Sequence, residues 1–190
     1  VVVHPTALLI EDAHLRAVGV GDALKRLHID QRCRVNTPFH QAAGRLRELR
    51  RGVQAHGSCG VGVGETVRHA LQHPDHVLRY GDLARPALAM QKLETIRRDL
   101  LQDFAETGDA GVAQAERQIL EDPAIAERWL SSLPDLLGEV PPASPTEIAE
   151  RLHHAGTALF EGAQGVLLDE WKGFHPHTTW SSINTDSVQA

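Results

Sequence analysis

The sequence predicts an α/β fold with a helix-rich central region, and three observations carry that prediction. Apolar residues recur at helical spacing from Ala87 to Leu137, glycines crowd the segment from Val53 to Gly64, and a short apolar run at Thr157–Phe160 opens into the loop Glu161-Gly162-Ala163-Gln164-Gly165. With 190 residues, 42% of them hydrophobic, the chain can bury one sizeable core and is expected to form one domain or part of a larger one. It begins with Val1 and its single methionine is Met90, so it reads as a fragment.

Taken in order, Pro5-Thr6 before Ala7, Leu8, Leu9 and Leu15 predicts a helix from about Ala7 to Val18, with Thr6 as its cap and Gly19-Val20-Gly21 as its stop. Leu27-His28-Ile29 reads as a short strand. Pro38 then opens a helix whose apolar stripe is Phe39, Ala42, Ala43, Leu46 and Leu49, with Arg45, Arg47, Arg50 and Arg51 on the opposite, solvated face. Glycines at 57, 60, 62 and 64 argue against a packed helix there and for a tight loop. The helix-rich region, about residues 85–155, carries the stripe Met90, Leu93, Ile96, Leu100 and Phe104 and a second one of Ile125, Trp129, Leu133 and Leu136. Breaks are expected at Gly108-Asp109 and Asp122-Pro123. Ser144-Pro145-Thr146-Glu147 is a capping box that starts a helix running to His154. Thr157–Phe160 then reads as a short buried strand, and its carboxyl end is where ligands bind in open parallel sheets.

Composition excludes several functions. Nineteen Lys+Arg against 25 Asp+Glu give a formal charge of −6, which does not suit a nucleic-acid face and points to a small partner. Apolar runs such as Val1–Val3 and Val166–Leu168 fall far short of the roughly 20 residues of a membrane span, so a soluble protein is expected. Cys33 and Cys59 lie far apart and form no CxxC pair, which suits a reducing compartment.

Two segments could carry chemistry. Closely spaced glycines let successive backbone N–H groups converge on phosphate oxygens, although the segment lacks the Lys-Ser/Thr of a P-loop and the spacing of a dinucleotide turn. A tight structural turn explains it equally well. Ser58 and Cys59 place a hydroxyl and a thiol at its tip, and Cys59 could equally be an inert buried thiol. Gln164 offers both a donor and an acceptor to a purine edge or a phosphate. Downstream, the stretch from Gly173 to Ser182 concentrates hydroxyls and imidazoles. His175 and His177 stand two apart with no Cys or HExxH beside them, so no metal site is expected, and the other ten histidines read as surface or core residues.

In order and spacing these segments resemble the adenylosuccinate synthetase family along nearly the whole chain. The resemblance runs from Val1-Val2-Val3-His4-Pro5-Thr6 through Asn36-Thr37-Pro38-Phe39-His40, the Gly57–Gly64 loop and Tyr80-Gly81-Asp82-Leu83. Its most specific motif is Phe160-Glu161-Gly162-Ala163-Gln164-Gly165 with Leu167-Leu168-Asp169, and Pro176 and Thr179 keep the spacing beyond. It implies the central part of one mostly parallel-sheet nucleotide-binding domain. It also implies a magnesium-dependent, cytoplasmic, homodimeric ligase of purine biosynthesis, in which GTP phosphorylates the 6-oxygen of inosine monophosphate and the amine of L-aspartate displaces that phosphate.

The chemical logic is that a carbonyl oxygen leaves poorly and a phosphate ester leaves well. By resemblance, Ser58 and Cys59 stand near the 5′-phosphate where the family has two threonines, Gln164 is the nucleotide-binding glutamine and Thr179 a phosphate-binding threonine. Between Gly64 and Arg79 the chain is about two residues longer than the family pattern. The inter-subunit arginine has no aligned partner, leaving Arg68 and Arg79 as candidate substitutes.

Cys59 and the altered stretch at Glu170-Trp171-Lys172 and Phe174-His175 also admit a paralogue that uses another purine monophosphate. The family's GTP loop, catalytic aspartate and paired histidine are expected before Val1, and its guanine-recognition and aspartate-binding segments after Ala190. No catalytic residue is therefore expected within the chain, which would be inactive alone. A non-catalytic nucleotide-binding module is the reading from a different class.

Overall fold

The structure is a computed structural model and describes residues 1–54, 58–104, 111–154, 156–179 and 182–183. The expected break at Gly108-Asp109 and the motif positions His56, Gly57, Trp180 and Ser181 lie outside the described residues. The chain forms two compact units, residues 1–148 and 149–190.

In the first unit, strand β1 (Val2–Val3) leads into helix α1 (Pro5–Ala17). The cap is His4 rather than Thr6: its Nδ1 accepts from the Ala7 N–H at 3.1 Å, because Pro5 supplies the fixed φ of the first helical position and the helix starts there rather than at Ala7. Strands β2 (Ile29–Asp30) and β3 (Arg34–Val35) follow. Only Ile29 of the expected Leu27–Ile29 strand is paired. Helix α2 (Pro38–Arg51) starts at Thr37, whose hydroxyl accepts from His40 N–H while the His40 ring serves the Thr37 N–H in return.

The glycine segment is shorter than its composition suggests. A 3-10 turn covers Gly52–Gln54, and helix α3 (Val63–Gln72) begins before Gly64 and includes it. A single glycine in the first helical turn costs only about 1 kcal/mol, and the buried side chains of Glu65, Thr66, His69 and Ala70 outweigh it.

Helices α4 (Pro86–Asp103), α5 (Val112–Glu121), α6 (Ala124–Ser131) and α7 (Pro134–Glu139) make up the helix-rich region. Leu93, Ile96, Leu100 and Phe104 are fully buried along α4 and its cap, with Met90 half-buried at the end of the stripe. They pack in one core with Phe39, Ala42, Ala43 and Leu46 of α2 and Trp129, Leu133 and Leu136 beyond. Leu49, the last position of the α2 stripe, is 46% exposed. Tyr80 is fully buried and its hydroxyl donates to Val140 O at 2.8 Å, while burial pushes its pKa up to about 12.

Among the described residues the named strands pair in parallel, as expected, but in two short pairs, with one isolated antiparallel bridge between Arg34 and Arg79. β1 lies beside β3, and β2 beside β4 (Pro142–Ala143), where the sequence, with Pro141-Pro142, reads as a short stiff connection instead of a strand. β4 hands directly to α8 (Pro145–His154), whose range matches the expectation. The Ser144 hydroxyl accepts from Glu147 N–H, and Glu147 accepts from Ser144 N–H at 2.6 Å.

In the second unit the expected strand at Thr157–Phe160 is not formed. No strand partner pairs with it among the described residues, and Leu159 and Phe160 are 93% and 60% exposed. An apolar β-rich run becomes a strand only where neighbouring backbone groups complete its ladder. The proposed site at a strand's carboxyl end is corrected accordingly: Gln164 stands on an irregular turn followed by a 3-10 turn, Val166–Leu168. No helix among the described residues is long and apolar enough to cross a membrane.

Candidate functional site

The glycine turn is built against the N-terminal half of α2. Asn36 donates its side-chain N–H to Val61 O, Arg45 Nε donates to Gly60 O at 3.1 Å, and the Thr66 hydroxyl lies 2.9 Å from Gly62 O. Three successive carbonyls of the turn are thereby bound. Gly60 and Gly62 have φ of +67° and +91°. At Gly62 a Cβ would stand 2.8 Å from Gln41 N and 2.9 Å from Asn36 Oδ1, so both the backbone conformation and the space require glycine.

Ser58 and Cys59 are exposed at the tip, and Ser58 N–H donates to Glu48 at 3.2 Å. A cavity of about 370 Å³ beside them is lined by Arg45, Glu48, Ser58, Gly60 and Glu116. Arg45 donates to Glu116 at 3.1 Å, so this lining arginine is shared with a carboxylate. The other arginines of α2 are similarly engaged: Arg47 with Glu65 and Asp103, Arg51 with Glu48, and Arg50 over the Phe104 ring.

Arg68 is held by the same network. Its guanidinium donates to Glu65 and to Asp103, each at 2.6 Å. Glu65 is buried. Burial would raise its carboxyl, but the guanidiniums of Arg47 and Arg68 more than offset this and hold it below the ordinary carboxylate range.

Arg79 stands apart, at a second cavity of about 540 Å³ lined also by Gln31, Arg32, Gly81 and Arg85. Arg79 is exposed and donates to Arg32 O at 3.0 Å. It makes no ion pair among the described residues, whereas Arg32 is paired with Asp30 and Arg85 with Asp82.

In the second unit, buried Asp169 organises the loop. Its carboxylate accepts backbone N–H groups from Ile183, Lys172 and Trp171 at 2.7–2.9 Å, and these donors hold its pKa below the ordinary value. Thr179 N–H donates to Leu168 O at 2.9 Å and Phe174 N–H to Leu167 O at 2.7 Å. Thr179 is thus held against the turn that follows Gln164, and both side chains are half-buried.

A family model for adenylosuccinate synthetase matches residues 1–190. The chain belongs to the adenylosuccinate synthetase family. Among its relatives, the adenylosuccinate synthetase of Desulfovibrio desulfuricans is 31% identical over 201 residues, covering 100% of this chain and 42% of the relative. That of Shewanella amazonensis is 33% identical over 189 residues, covering 99% of this chain and 41% of the relative. The chain therefore spans well under half the length of these relatives. A solved structure of fully ligated adenylosuccinate synthetase from Plasmodium falciparum shares the fold, with a TM-score of 0.69 and 19% identity over 98% of this chain and 40% of that one.

Sequence reasoning overlooked a polar cluster in this family member. His40, His69, His73 and His76 form a row of rings with successive centroids 5.0–5.4 Å apart, and Asp99 bridges His69 and His76. His40 is fully enclosed. Burial, helped by nearby His69, pushes its pKa down to about 3, and its Nε2 has no hydrogen-bond partner among the described residues. The spacing of His69, His73 and His76 at i, i+4 and i+7 was the available signal.

Proposed function

We propose that this chain supplies the nucleoside-monophosphate half of the site in a GTP-dependent ligase that joins L-aspartate to the 6-position of inosine monophosphate. Residues 1–190 are then the central part of one synthetase domain. The family match along the whole chain is the observation that carries this reading. The fixed glycine turn supports it, because a turn with its carbonyls tied back is rigid at the point where a phosphate would rest.

Ser58 is the primary 5′-phosphate donor, since the Cys59 thiol is a weaker one. Gln164 reads the base and Thr179 contacts phosphate. Of the two arginines that could replace the inter-subunit contact, Arg79 is favoured, because Glu65 and Asp103 already hold Arg68. The active form is a cytoplasmic homodimer.

The family depends on GTP and Mg2+, and the glycine turn does not fit a GTP loop. The turn ends in Gly64-Glu65-Thr66 with no lysine after its last glycine, and Glu65 is consumed by two arginines. GTP activation and aspartate capture are assigned to other segments of the protein.

A second reading, a paralogue using another purine monophosphate, is favoured by exposed Cys59 and by the exposed Trp171 and Phe174 in the altered loop. Calorimetry on the intact protein with inosine and guanine monophosphates separates the readings. Selective binding of inosine monophosphate is expected, selective binding of the guanine nucleotide supports the paralogue, and undetectable binding of both rejects the two.

A further inference from the structure

Helix α3 ends in two histidines one turn apart, His69 and His73, and Asp99 faces them from α4. One ring nitrogen from each histidine and a carboxylate oxygen of Asp99 lie within 4.8 Å of one another. His69 Nε2 and Asp99 Oδ2 are 3.1 Å apart. In a tetrahedral site with arms of about 2.0–2.1 Å, ligand atoms stand about 3.3–3.4 Å apart, so one edge is set and the others close by at most about 1.5 Å.

Other features favour a cation. The carboxyl end of α3 carries the negative end of its helix dipole. His76 Nδ1 lies 2.6 Å from the same carboxylate and orients it from outside, as partners of metal-bound carboxylates do. His69 is buried while Asp99 is partly open, which gives both a dry side and an entry side.

We propose that His69, His73 and Asp99 bind one divalent transition-metal ion of the zinc class, with His76 steadying the carboxylate and a fourth position open to water or another ligand. Two imidazoles with one carboxylate suit Zn2+ and disfavour Mg2+, which prefers all-oxygen shells. The bound ion clamps α3 to α4 at one end of α3. The other end carries the glycine turn, so metal stiffens the turn through the helix.

The test is titration of the metal-stripped intact protein with Co2+ and then Zn2+. One equivalent of Co2+ with visible ligand-field bands, displaced by Zn2+ and untouched by excess Mg2+, is expected, with a rise in the thermal unfolding midpoint. His73→Ala and Asp99→Asn should each weaken Zn2+ binding at least tenfold while far-UV dichroism is kept, and a His175→Ala/His177→Ala double variant should bind as the parent does. His73 is half-exposed, so its variant decides the matter if Asp99→Asn disturbs the fold. Absence of binding by the parent, unchanged affinity in the His73 variant, or loss confined to the His175/His177 variant overturns the proposal.

Discussion

Gly62 and Gly64 differ by two positions and make opposite demands. At Gly62 the backbone is left-handed and a Cβ would strike Gln41 and Asn36, so Gly62→Ala should destabilise by about 1–3 kcal/mol or more in urea unfolding. A Cβ added at Gly64 would meet no atom of another element within 4 Å among the described residues, and the residue lies in the first turn of α3, so Gly64→Ala should stabilise by about 0.5–1 kcal/mol. Equal effects would mean that the turn is not fixed as described. The sequence marked both glycines without separating them, because the difference lies in what α2 brings against one of them.

Glu65 gives the pH dependence at this scale. Its folded pKa lies below the ordinary value of 4.5, so its contribution is complete above 4.5 and is lost as pH falls through the lower folded value. Glu65→Gln should cost roughly 1–3 kcal/mol at neutral pH, less than a dry pair would, because Arg47 and Arg68 keep 26% and 23% of their side chains in solvent. The variant should also flatten the fall in stability as pH drops below 4.5. A profile parallel to that of the parent would remove Glu65 from the network.

Among the elements, local signals were legible at α2, α4 and α8, whereas at α1 the Pro5 signal was read two residues late. Pro38 and the Ser144–Glu147 box marked the starts of α2 and α8, and the α4 stripe named its buried residues. Leu93→Ala, at a fully buried position, should cost about 2–5 kcal/mol, and Thr37→Ala about 1–2 kcal/mol through loss of the α2 cap, both measured by chemical denaturation. Strands were poorly legible. β4 was hidden by a proline, and Thr157–Phe160 has strand-like composition without a ladder, since pairing depends on a distant partner that no local pattern encodes.

For the whole molecule, the order of motifs carried more information than any one of them. The glycine turn alone is an ordinary turn, and Gln164 alone an ordinary amide. One family model covers both segments, which belong to the separate units 1–148 and 149–190. Long-range pairings such as Arg68 with Asp103, 35 positions apart, were invisible in the sequence, and for that reason both arginines entered as equal candidates. Arg79→Ala should therefore weaken monophosphate binding at least tenfold, whereas Arg68→Lys should chiefly lower the unfolding midpoint.

The most direct measurement is the affinity of the intact protein for inosine monophosphate, by calorimetry, with and without Gln164→Ala. The account predicts saturable binding by the parent and a loss of about 1–3 kcal/mol in the variant, the cost of leaving a buried polar partner unpaired. Identical affinities would contradict the assignment of Gln164 to the nucleotide site.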